Sequence, residues 1–385
     1  MRVLVATPWF PNQRDGWPGI FVAKSVCALA EAGCQVGVLN YRAHYPWLFK
    51  RWVPREHLGE VSAEEFPELA FLKTERYFSL PGQLLQNTKD CLLDKVVGPS
   101  IQSACEEFLP DLIHVHTETL LPPIVNAGVG TPVVVTIHGQ NTNSKLMSGR
   151  HLSRLVSALR SAAQVIVVGD PLSPFVSSLL GEGGNPVTLW NGVDTMEGRV
   201  REDCKAIRLV TVSNLVPEKG VQDLVSVLAS IPKSFDWRLT IVGSGPCLHE
   251  IIRLIDSHDL GDRVVLTGNL PNREVLSLMN RSDIFVLPSR REAFGIVYAE
   301  AMACGLLAVG IEGQGPSQFI ENGTTGYLVR AGDNSMLQEL LLKIFRMPRS
   351  EWIELAEAGR RYAEANLSWQ RHAEKLLMLY KEALG

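Results

Sequence analysis

The sequence predicts an α/β protein built from two doubly wound parallel sheets, one in each half of the chain, that face each other across a central cleft. Two observations carry this prediction. Short apolar runs rich in β-branched residues alternate with helix-length segments, and this alternation stops at a polar stretch, residues 197–203, and then starts again. The chain has 385 residues, which is enough for two domains of similar size.

The strands of the first half are predicted from apolar runs that end at Gly, Pro or Asp residues. Each run is continuous rather than alternating, which is typical of strands buried on both faces of a parallel sheet. The runs are Val3–Ala6, Val36–Leu39, Leu112–Val115, Val133–Ile137, Val165–Val168 and Val187–Trp190. We therefore expect residues 1–196 to form the first domain.

The second half repeats the same alternation. Its predicted strands are Leu209–Val212, Leu239–Val242, Val264–Leu266, Ile284–Leu287, Leu307–Val309 and Tyr327–Val329. Its predicted helices include Gln222–Ser230, Asn272–Met279 and Ala293–Ala303, followed by two further helical segments, Ser350–Asn366 and Trp369–Leu384. We expect residues 197–366 to form the second domain and residues 367–385 to form a helix that packs back on the first.

Composition and charge exclude several classes of protein. Apolar residues make up 46% of the chain and charged residues 20%, which is the balance of an ordinary folded α/β protein. With 37 basic against 41 acidic residues the net charge is −4, so we expect no nucleic-acid partner. The seven cysteines are scattered without a C-x-x-C pair, as expected for free thiols in a reducing compartment.

The sequence also bears on where the protein acts. The first apolar run is too short for the core of a signal peptide, and no apolar run reaches the length of about 18 residues that suggests a membrane span. We therefore expect a cytoplasmic protein. Residues 43–55 mix aromatic and basic side chains, and two interpretations stay open: a local loop core, or a contact with the inner face of the membrane or with a lipid acceptor.

The most informative segment is residues 287–305, where a predicted strand ends at Pro288 and a helix is predicted to begin near Gly295. The first amides of such a helix lack internal partners and lie at the positive end of the helix dipole, so they suit a phosphate. Glu292 and Glu300 would be about 12 Å apart if the stretch between them were helical at about 1.5 Å per residue. That distance is about the span of a nucleotide sugar from hexose to ribose, and carboxylates accept hydrogen bonds from the hydroxyl pairs at both ends.

The same segment, L-P-S-x-x-E-A-F-G-I-V-Y-A-E-A-M-A-C-G, closely resembles the E-x7-E signature of the retaining glycosyltransferases of family 4, also called group 1. The resemblance extends along the chain. Residues 313–329 resemble the next block of that family, 191–194 its N-G-V-D, 214–220 its G-R-L-x-x-x-K-G, 242–246 and 265–270 its blocks around the nucleotide base, 16–22 its glycine loop and 134–139 its histidine-glycine turn.

The resemblance implies the GT-B fold, two Rossmann-like domains with the donor mostly on the second. It implies transfer of a hexose, with retention at the anomeric carbon, from a nucleotide diphosphate sugar to a carbohydrate or glycolipid acceptor in polysaccharide or glycoconjugate biosynthesis. A UDP-sugar is the favoured donor and a GDP-sugar the alternative. The donor-binding residues that it implies are Gly16, Gly19, Asn214, Lys219, Gly268, Leu270, Glu292, Phe294, Gly295, Ile296, Val297 and Glu300.

Among these residues the resemblance implies that Glu300 holds the ribose and that Glu292 holds the sugar hydroxyls and takes part in catalysis. His138, in the histidine-glycine turn, is the second catalytic residue, because it is implied to contact the donor sugar and to stabilise the transition state. His114 and His116 alternate on one strand and so share a face; we interpret both as structural, with His116 a weaker candidate for acceptor binding.

One departure from the family concerns the diphosphate. Most members carry an arginine where this chain has Asn214, and asparagine supplies no charge. The clamp would then depend on Lys219 and on the helix amides, and a contribution from a basic residue elsewhere, such as Arg290 or Arg291, stays open. The chain also contains no D-x-D triplet, the aspartate pair with which the other large glycosyltransferase fold holds a metal ion. We therefore expect a mechanism without a metal ion or another cofactor.

Two other functions stay open at this stage. One is a nucleotide-sugar epimerase on the same fold, although no separate acid/base carboxylate set favours it. The other is a sugar-nucleotide-binding scaffold that has lost activity, for which Asn214 is the only support. A dehydrogenase is disfavoured because the first strand is followed by T-P-W-F-P and not by G-x-G-x-x-G.

Overall fold

The computed structural model describes residues 1–12, 19–44, 61, 63–78, 86–139, 149–195 and 206–385. The chain forms two compact units. Unit 1 contains Met1–Gly192 together with Trp369–Gly385, and unit 2 contains Val193–Ser368. The boundaries expected from the sequence, 196/197 and 366/367, therefore lie a few residues from those of the structure, and the polar stretch 197–203 lies outside the described residues.

Unit 1 is a parallel sheet of seven strands covered by helices. The strands lie in the order β3-β2-β1-β4-β5-β6-β7. They are β1 (Arg2–Thr7), β2 (Gln35–His44), β3 (Phe71–Phe78), β4 (Leu112–Val115), β5 (Val133–Ile137), β6 (Gln164–Val167) and β7 (Val187–Thr188). The helices are α1 (Ile20–Glu31), α2 (Gln86–Phe108), α3 (Leu121–Asn126), α4 (Arg150–Ser161) and α5 (Ser173–Leu180). The strand order reverses next to β1, which is the doubly wound topology.

Unit 2 has the same architecture with six parallel strands, in the order β10-β9-β8-β11-β12-β13. They are β8 (Ile207–Val212), β9 (Trp237–Val242), β10 (Val264–Gly268), β11 (Ile284–Val286), β12 (Leu307–Ile311) and β13 (Tyr327–Val329). The helices are α6 (Val221–Ala229), α7 (Leu248–Ser257), α8 (Asn272–Asn280), α9 (Ile296–Ala303), α10 (Asn334–Arg346) and α11 (Arg349–Asn366). A final helix, α12 (Trp369–Leu384), follows and belongs to unit 1.

The core of unit 1 includes residues from both parts of the chain that form it. Ala373, Leu376 and Tyr380 of α12 are buried in the same cluster as the strands β1 and β2 and the helix α1. This packing completes one hydrophobic layer of the sheet, because helix faces bury apolar side chains that a bare sheet would expose. Within the described residues, no helix is both long and apolar enough to cross a membrane.

Two sequence predictions need correction. The edge strand β3 was not predicted, because its polar, charged sequence F-L-K-T-E-R-Y-F lacks the continuous apolar pattern of the buried strands. The helix predicted over Ala293–Ala303 begins only at Ile296, because Gly295 adopts a left-handed conformation with φ 81°. The backbone between Glu292 and Gly295 is therefore not helical.

Candidate active site

The first turn of α9 presents the predicted anion-binding amides. Gly295 is the N-cap of this helix, and a Cβ at this position would lie 2.8 Å from Cδ2 of Tyr298. A side chain would therefore be both strained and crowded, since L-residues avoid the left-handed region. The amides at the start of the helix have no partner inside the helix, so glycine leaves them open to a ligand.

Glu292 and Lys219 form an ion pair in this unit. Nζ of Lys219 donates to Oε1 of Glu292 at 2.7 Å, although the two residues are 73 positions apart. The Glu292 side chain is 9% exposed and the Lys219 side chain 25% exposed. The carboxylate of Glu292 is largely removed from water, so it needs a cationic partner to offset the cost of its lost hydration. The two residues that the sequence assigned to the sugar and to the diphosphate are therefore in direct contact.

The backbone of Glu292 is held by the loop that follows β12. Its amide donates to Oε1 of Gln314 at 3.1 Å, and its carbonyl accepts from the amide of Gly315 at 3.0 Å. Gly315 itself lies where a Cβ would be 2.4 Å from the carbonyl oxygen of Phe294. The glycine-rich loop thus fixes the carboxylate-bearing loop by one side-chain contact and one main-chain contact, and the close approach at Gly315 needs a glycine.

Lys219 is positioned by a short 3-10 turn, Pro217–Lys219, that precedes α6. The carbonyl of Glu218 in this turn accepts from the amide of Arg290 at 2.6 Å and from the hydroxyl of the buried Ser289 at 3.2 Å. These bonds join the turn to the loop that carries Glu292. The ion pair therefore lies between two segments that are already tied together.

The side chains of one tyrosine, Tyr298, and one arginine, Arg290, complete this region. Tyr298 is buried, and its hydroxyl donates to the carbonyl of Leu287 at 2.5 Å. Burial, and secondarily the charge of Glu292, raises the pKa of Tyr298 well above its ordinary value, so the hydroxyl stays protonated and keeps this bond. Arg290 pairs with Asp223 at 3.1 Å on the surface.

Five further predicted donor residues lie on the same unit. Asn214, the residue in the usual arginine position, is exposed, and Phe294 is buried. Gly268 ends β10, and its carbonyl accepts from the amide of Gly243 at 2.8 Å. Leu270 and Glu300 are partly buried. The separation of about 12 Å expected for a continuous helix between Glu292 and Glu300 does not apply, because only the second glutamate is helical.

Unit 1 contains the other predicted catalytic residue. His138 follows the carboxyl end of β5, and its Nε2 lies 2.9 Å from Nδ1 of His116, which follows the neighbouring strand β4. The ring of His138 also contacts Phe21 and Trp9, with centroids 4.7 and 6.1 Å away. Removal from water, and then the nearby His372, lowers the pKa of His138 to about 3. The ring is therefore neutral at neutral pH.

The structure shows what His114 and His116, the two histidines at the end of β4, contact. Nδ1 of His114 lies 2.6 Å from Oη of Tyr380, and its Nε2 lies 2.7 Å from Oγ1 of Thr136. The rings of His114 and His116 lie 4.2 Å apart. Their sequence spacing predicted the shared face, but nothing in it pointed to Tyr380.

Two predicted features of unit 1 are only partly visible. Gly16 lies outside the described residues, as do residues 45–60, which include most of the aromatic and basic segment. Gly19 is the left-handed N-cap of α1, and a Cβ there would lie 2.5 Å from the carbonyl oxygen of Trp9. Among the described residues no group of three or more His, Cys, Asp or Glu side chains could hold a metal ion.

Sequence reasoning assigned no role to Gln314 or Tyr298, although both lie inside segments that resemble the family. Gln314 holds the amide of Glu292, and its position in G-Q-G-P was the available signal. Tyr298 lies between the two glutamates of the signature and supports the preceding strand.

Comparisons with known proteins agree with this architecture. Residues 20–197 match the family model described as Glycosyltransferase Family 4, and residues 194–365 match the model described as Glycosyl transferases group 1. A curated relative, N-acetyl-alpha-D-glucosaminyl L-malate synthase of Bacillus anthracis, is 29% identical over 61% of this chain and 65% of its own. The match thus spans a little less than two thirds of that relative.

Two solved structures share the fold. Sucrose-phosphate synthase from Thermosynechococcus elongatus superposes with a TM-score of 0.76 at 21% identity, over 99% of both chains. The Anabaena protein HepE in complex with UDP and glucose gives a TM-score of 0.71 at 18% identity, again over 99% of both chains. The two matched family models together cover residues 20–365. The chain therefore belongs to the group 1, or family 4, glycosyltransferases and has the GT-B fold.

Proposed function

We propose that this glycosyltransferase moves a hexose from a nucleotide diphosphate sugar, with UDP as the favoured nucleotide, to a carbohydrate or glycolipid acceptor, with retention and without a metal ion. The observation that carries the proposal is the Lys219–Glu292 ion pair. Glu292 lies in the loop that leads into α9, and the first amides of this helix are open. These groups form a set of cation, carboxylate and amides that matches the parts of such a donor.

Each group has a distinct task in this proposal. Glu292 accepts hydrogen bonds from hydroxyls of the transferred sugar, and Glu300 accepts them from the ribose. Lys219 and the amides of Gly295, Ile296 and Val297 stabilise the charge on the leaving diphosphate, as prearranged donors do without reorganisation. With Asn214 in the usual arginine position, Lys219 is the main source of positive charge.

The proposed reaction proceeds on one face of the sugar. The bond between the anomeric carbon and the phosphate oxygen breaks with its electron pair going to the phosphate, while the acceptor oxygen forms a bond to the same face of that carbon. The acceptor proton passes to a phosphate oxygen. His138 is assigned to the transferred sugar, where a neutral ring avoids repulsion with the positive charge that develops on the sugar.

The binding half of the proposal is tested by isothermal titration with UDP, GDP, ADP and the common UDP-hexoses in the presence of EDTA. We expect one nucleotide to bind selectively and its affinity to fall in Glu300→Ala. Binding that requires added divalent cation would contradict the metal-independent mechanism. No binding to any nucleotide would favour the inactive scaffold.

The chemical half is tested with the donor identified in this way and a panel of acceptors. Glu292→Gln should lose transfer by about 100-fold or more, because a group that contacts the reacting sugar is removed. Glu339→Gln, which changes an exposed glutamate of α10, is the matched control and should keep wild-type turnover. Near-normal turnover of Glu292→Gln would overturn its role, and conversion of donor without acceptor would favour an epimerase.

A further inference from the structure

We infer that His116 is a positioning residue for His138, and that a chain of contacts from the helix α12 holds it in place. The inference deepens the proposed function, since His138 matters to the reaction only if the protein transfers a sugar. Its physical content, the orientation of the His138 ring, is measurable without any reaction.

The first step of the argument is the contact between the two rings. Nδ1 of His116 and Nε2 of His138 are 2.9 Å apart, and the two rings lie within 17° of parallel with centroids 5.2 Å apart, so they meet edge to edge. When two imidazoles are both neutral, one must donate and the other accept, so the contact couples their tautomers. The contact with His116 therefore couples the protonated nitrogen of His138 to that of His116 and limits rotation of the His138 ring.

The second step concerns the other ring nitrogen of His138, Nδ1. Within the part of the chain that the structure describes, no hydrogen-bond partner is found for Nδ1 of His138. The other faces of the ring contact Phe21 and Trp9. With Nε2 engaged by His116, Nδ1 is the ring nitrogen left for a ligand, and its donor or acceptor character follows from the His116 contact.

The third step is that His116 is itself anchored. It is 4% exposed and lies against the ring of His114. His114 is fixed at both nitrogens, by Tyr380 on one side and by Thr136 of β5 on the other. Burial keeps the Tyr380 hydroxyl protonated by raising its pKa well above the ordinary value, so this anchor persists at neutral pH.

The alternative is that His116 only fills space beside the strand ends. The two roles differ in what they require. A space-filling ring can be replaced by phenylalanine, which keeps an aromatic ring at this position and loses the hydrogen bond. A positioning residue cannot, but it can be replaced by asparagine, whose side-chain amide reaches the place of Nδ1 and can bond to His138.

The experiment compares His116→Phe and His116→Asn with wild type. Long-range 15N–1H spectra of the imidazole nitrogens report the tautomer of His138. We expect one tautomer in wild type and in His116→Asn, and a mixture in His116→Phe. Turnover should fall by about 100-fold in His116→Phe, since a misplaced group costs about that much, while the donor KM stays unchanged and His116→Asn recovers most of the loss.

Tyr380→Phe provides a second variant, which keeps the buried ring and removes only the hydroxyl that holds His114. It should lower turnover less than His116→Phe does and leave nucleotide affinity unchanged. If His116→Phe folds, keeps one tautomer of His138 and retains turnover, His116 has no positioning role. If the tautomer changes as expected but the wild-type protein transfers no sugar, the proposed function fails while the positioning of the ring stands.

Discussion

Four histidines of unit 1 are held in their neutral form by burial. Removal from water lowers the pKa of His114 and of His138 to about 3 and that of His372 to about 4, and lowers the pKa of His116 well below its ordinary value. Each ring makes hydrogen bonds that a neutral imidazole satisfies. His372, for example, lies 2.8 Å from the hydroxyl of Ser25 and 2.8 Å from the carbonyl of Trp190.

The stability of unit 1 should therefore fall as the pH falls from about 6.5, the ordinary pKa of histidine, to the lowered values. In that interval the unfolded chain binds protons that the folded chain does not, so acid favours unfolding. Urea denaturation of wild type and of His372→Gln at a series of pH values measures the effect. The free energy of unfolding of the variant should depend less steeply on pH, by at most about 1.4 kcal/mol per pH unit.

Ser25→Ala is the control for this experiment, because it removes a partner of His372 without removing a titrating group. It should lower the free energy of unfolding at every pH and keep the wild-type slope. Equal slopes for wild type and His372→Gln would show that this ring binds its proton as readily in the folded protein as in the unfolded chain.

Among the secondary-structure elements, α9 combines a structural and a functional requirement at Gly295. The residue is left-handed at the start of a buried helix, and its lack of a Cβ leaves room for the side chain of Tyr298. Adding a side chain has two consequences, backbone strain and crowding of the neighbouring residues, and a second glycine separates them. Gly323 has nearly the same φ, 79°, but nothing lies within 4 Å of its Cβ position.

Gly295→Ala and Gly323→Ala should both lose about 1 to 2 kcal/mol of stability from backbone strain, and Gly295→Ala should lose more because its Cβ would crowd Tyr298. Only Gly295→Ala should also weaken nucleotide binding, by about tenfold or more, since shifted amides lose charge-assisted hydrogen bonds. Thermal unfolding and titration with the nucleotide measure the two effects. Equal nucleotide affinity in both variants would place the phosphates away from the first turn of α9.

The sequence predicted elements whose pattern is local and missed relations that depend on distant residues. Buried strands such as Leu112–Val115 and Val133–Ile137 were predicted at their observed bounds, because continuous apolar runs are typical of a covered parallel sheet. The polar edge strand β3 carries no such run. The start of α9 was misplaced because Ala293 and Phe294 are compatible with a helix, whereas Gly295 stops it.

The candidate site shows the same limit. The family resemblance pointed to Glu292 and Lys219 separately, but their contact depends on how the loop after β11 meets the turn before α6. The link from His114 to Tyr380 joins residues 266 positions apart and needs α12 in place. No periodicity in the sequence encodes either contact.

In the molecule as a whole, unit 1 includes a helix, α12, that follows unit 2 in the sequence. Leu376 of α12 is fully buried, whereas Met378, two positions along the same helix, is 56% exposed. Leu376→Ala should therefore lower the free energy of unfolding of unit 1 by about 2 to 5 kcal/mol, because it leaves a cavity.

Met378→Ala removes a side chain of similar size from an exposed position of the same helix and should change stability by less than about 0.5 kcal/mol. Urea denaturation followed by a probe in unit 1 makes the comparison. A small effect of Leu376→Ala would mean that α12 adds little to the core of unit 1.

The division of the chain also has a consequence for biosynthesis. Unit 2 is one continuous segment, Val193–Ser368, inserted between the two parts of unit 1. A ribosome therefore synthesises all of unit 2 before it makes residues 369–385, although domains generally fold as units in the order of synthesis. The sequence of unit 1 is therefore complete only after that of unit 2, and until then the surface that α12 covers is open to water and to chaperones.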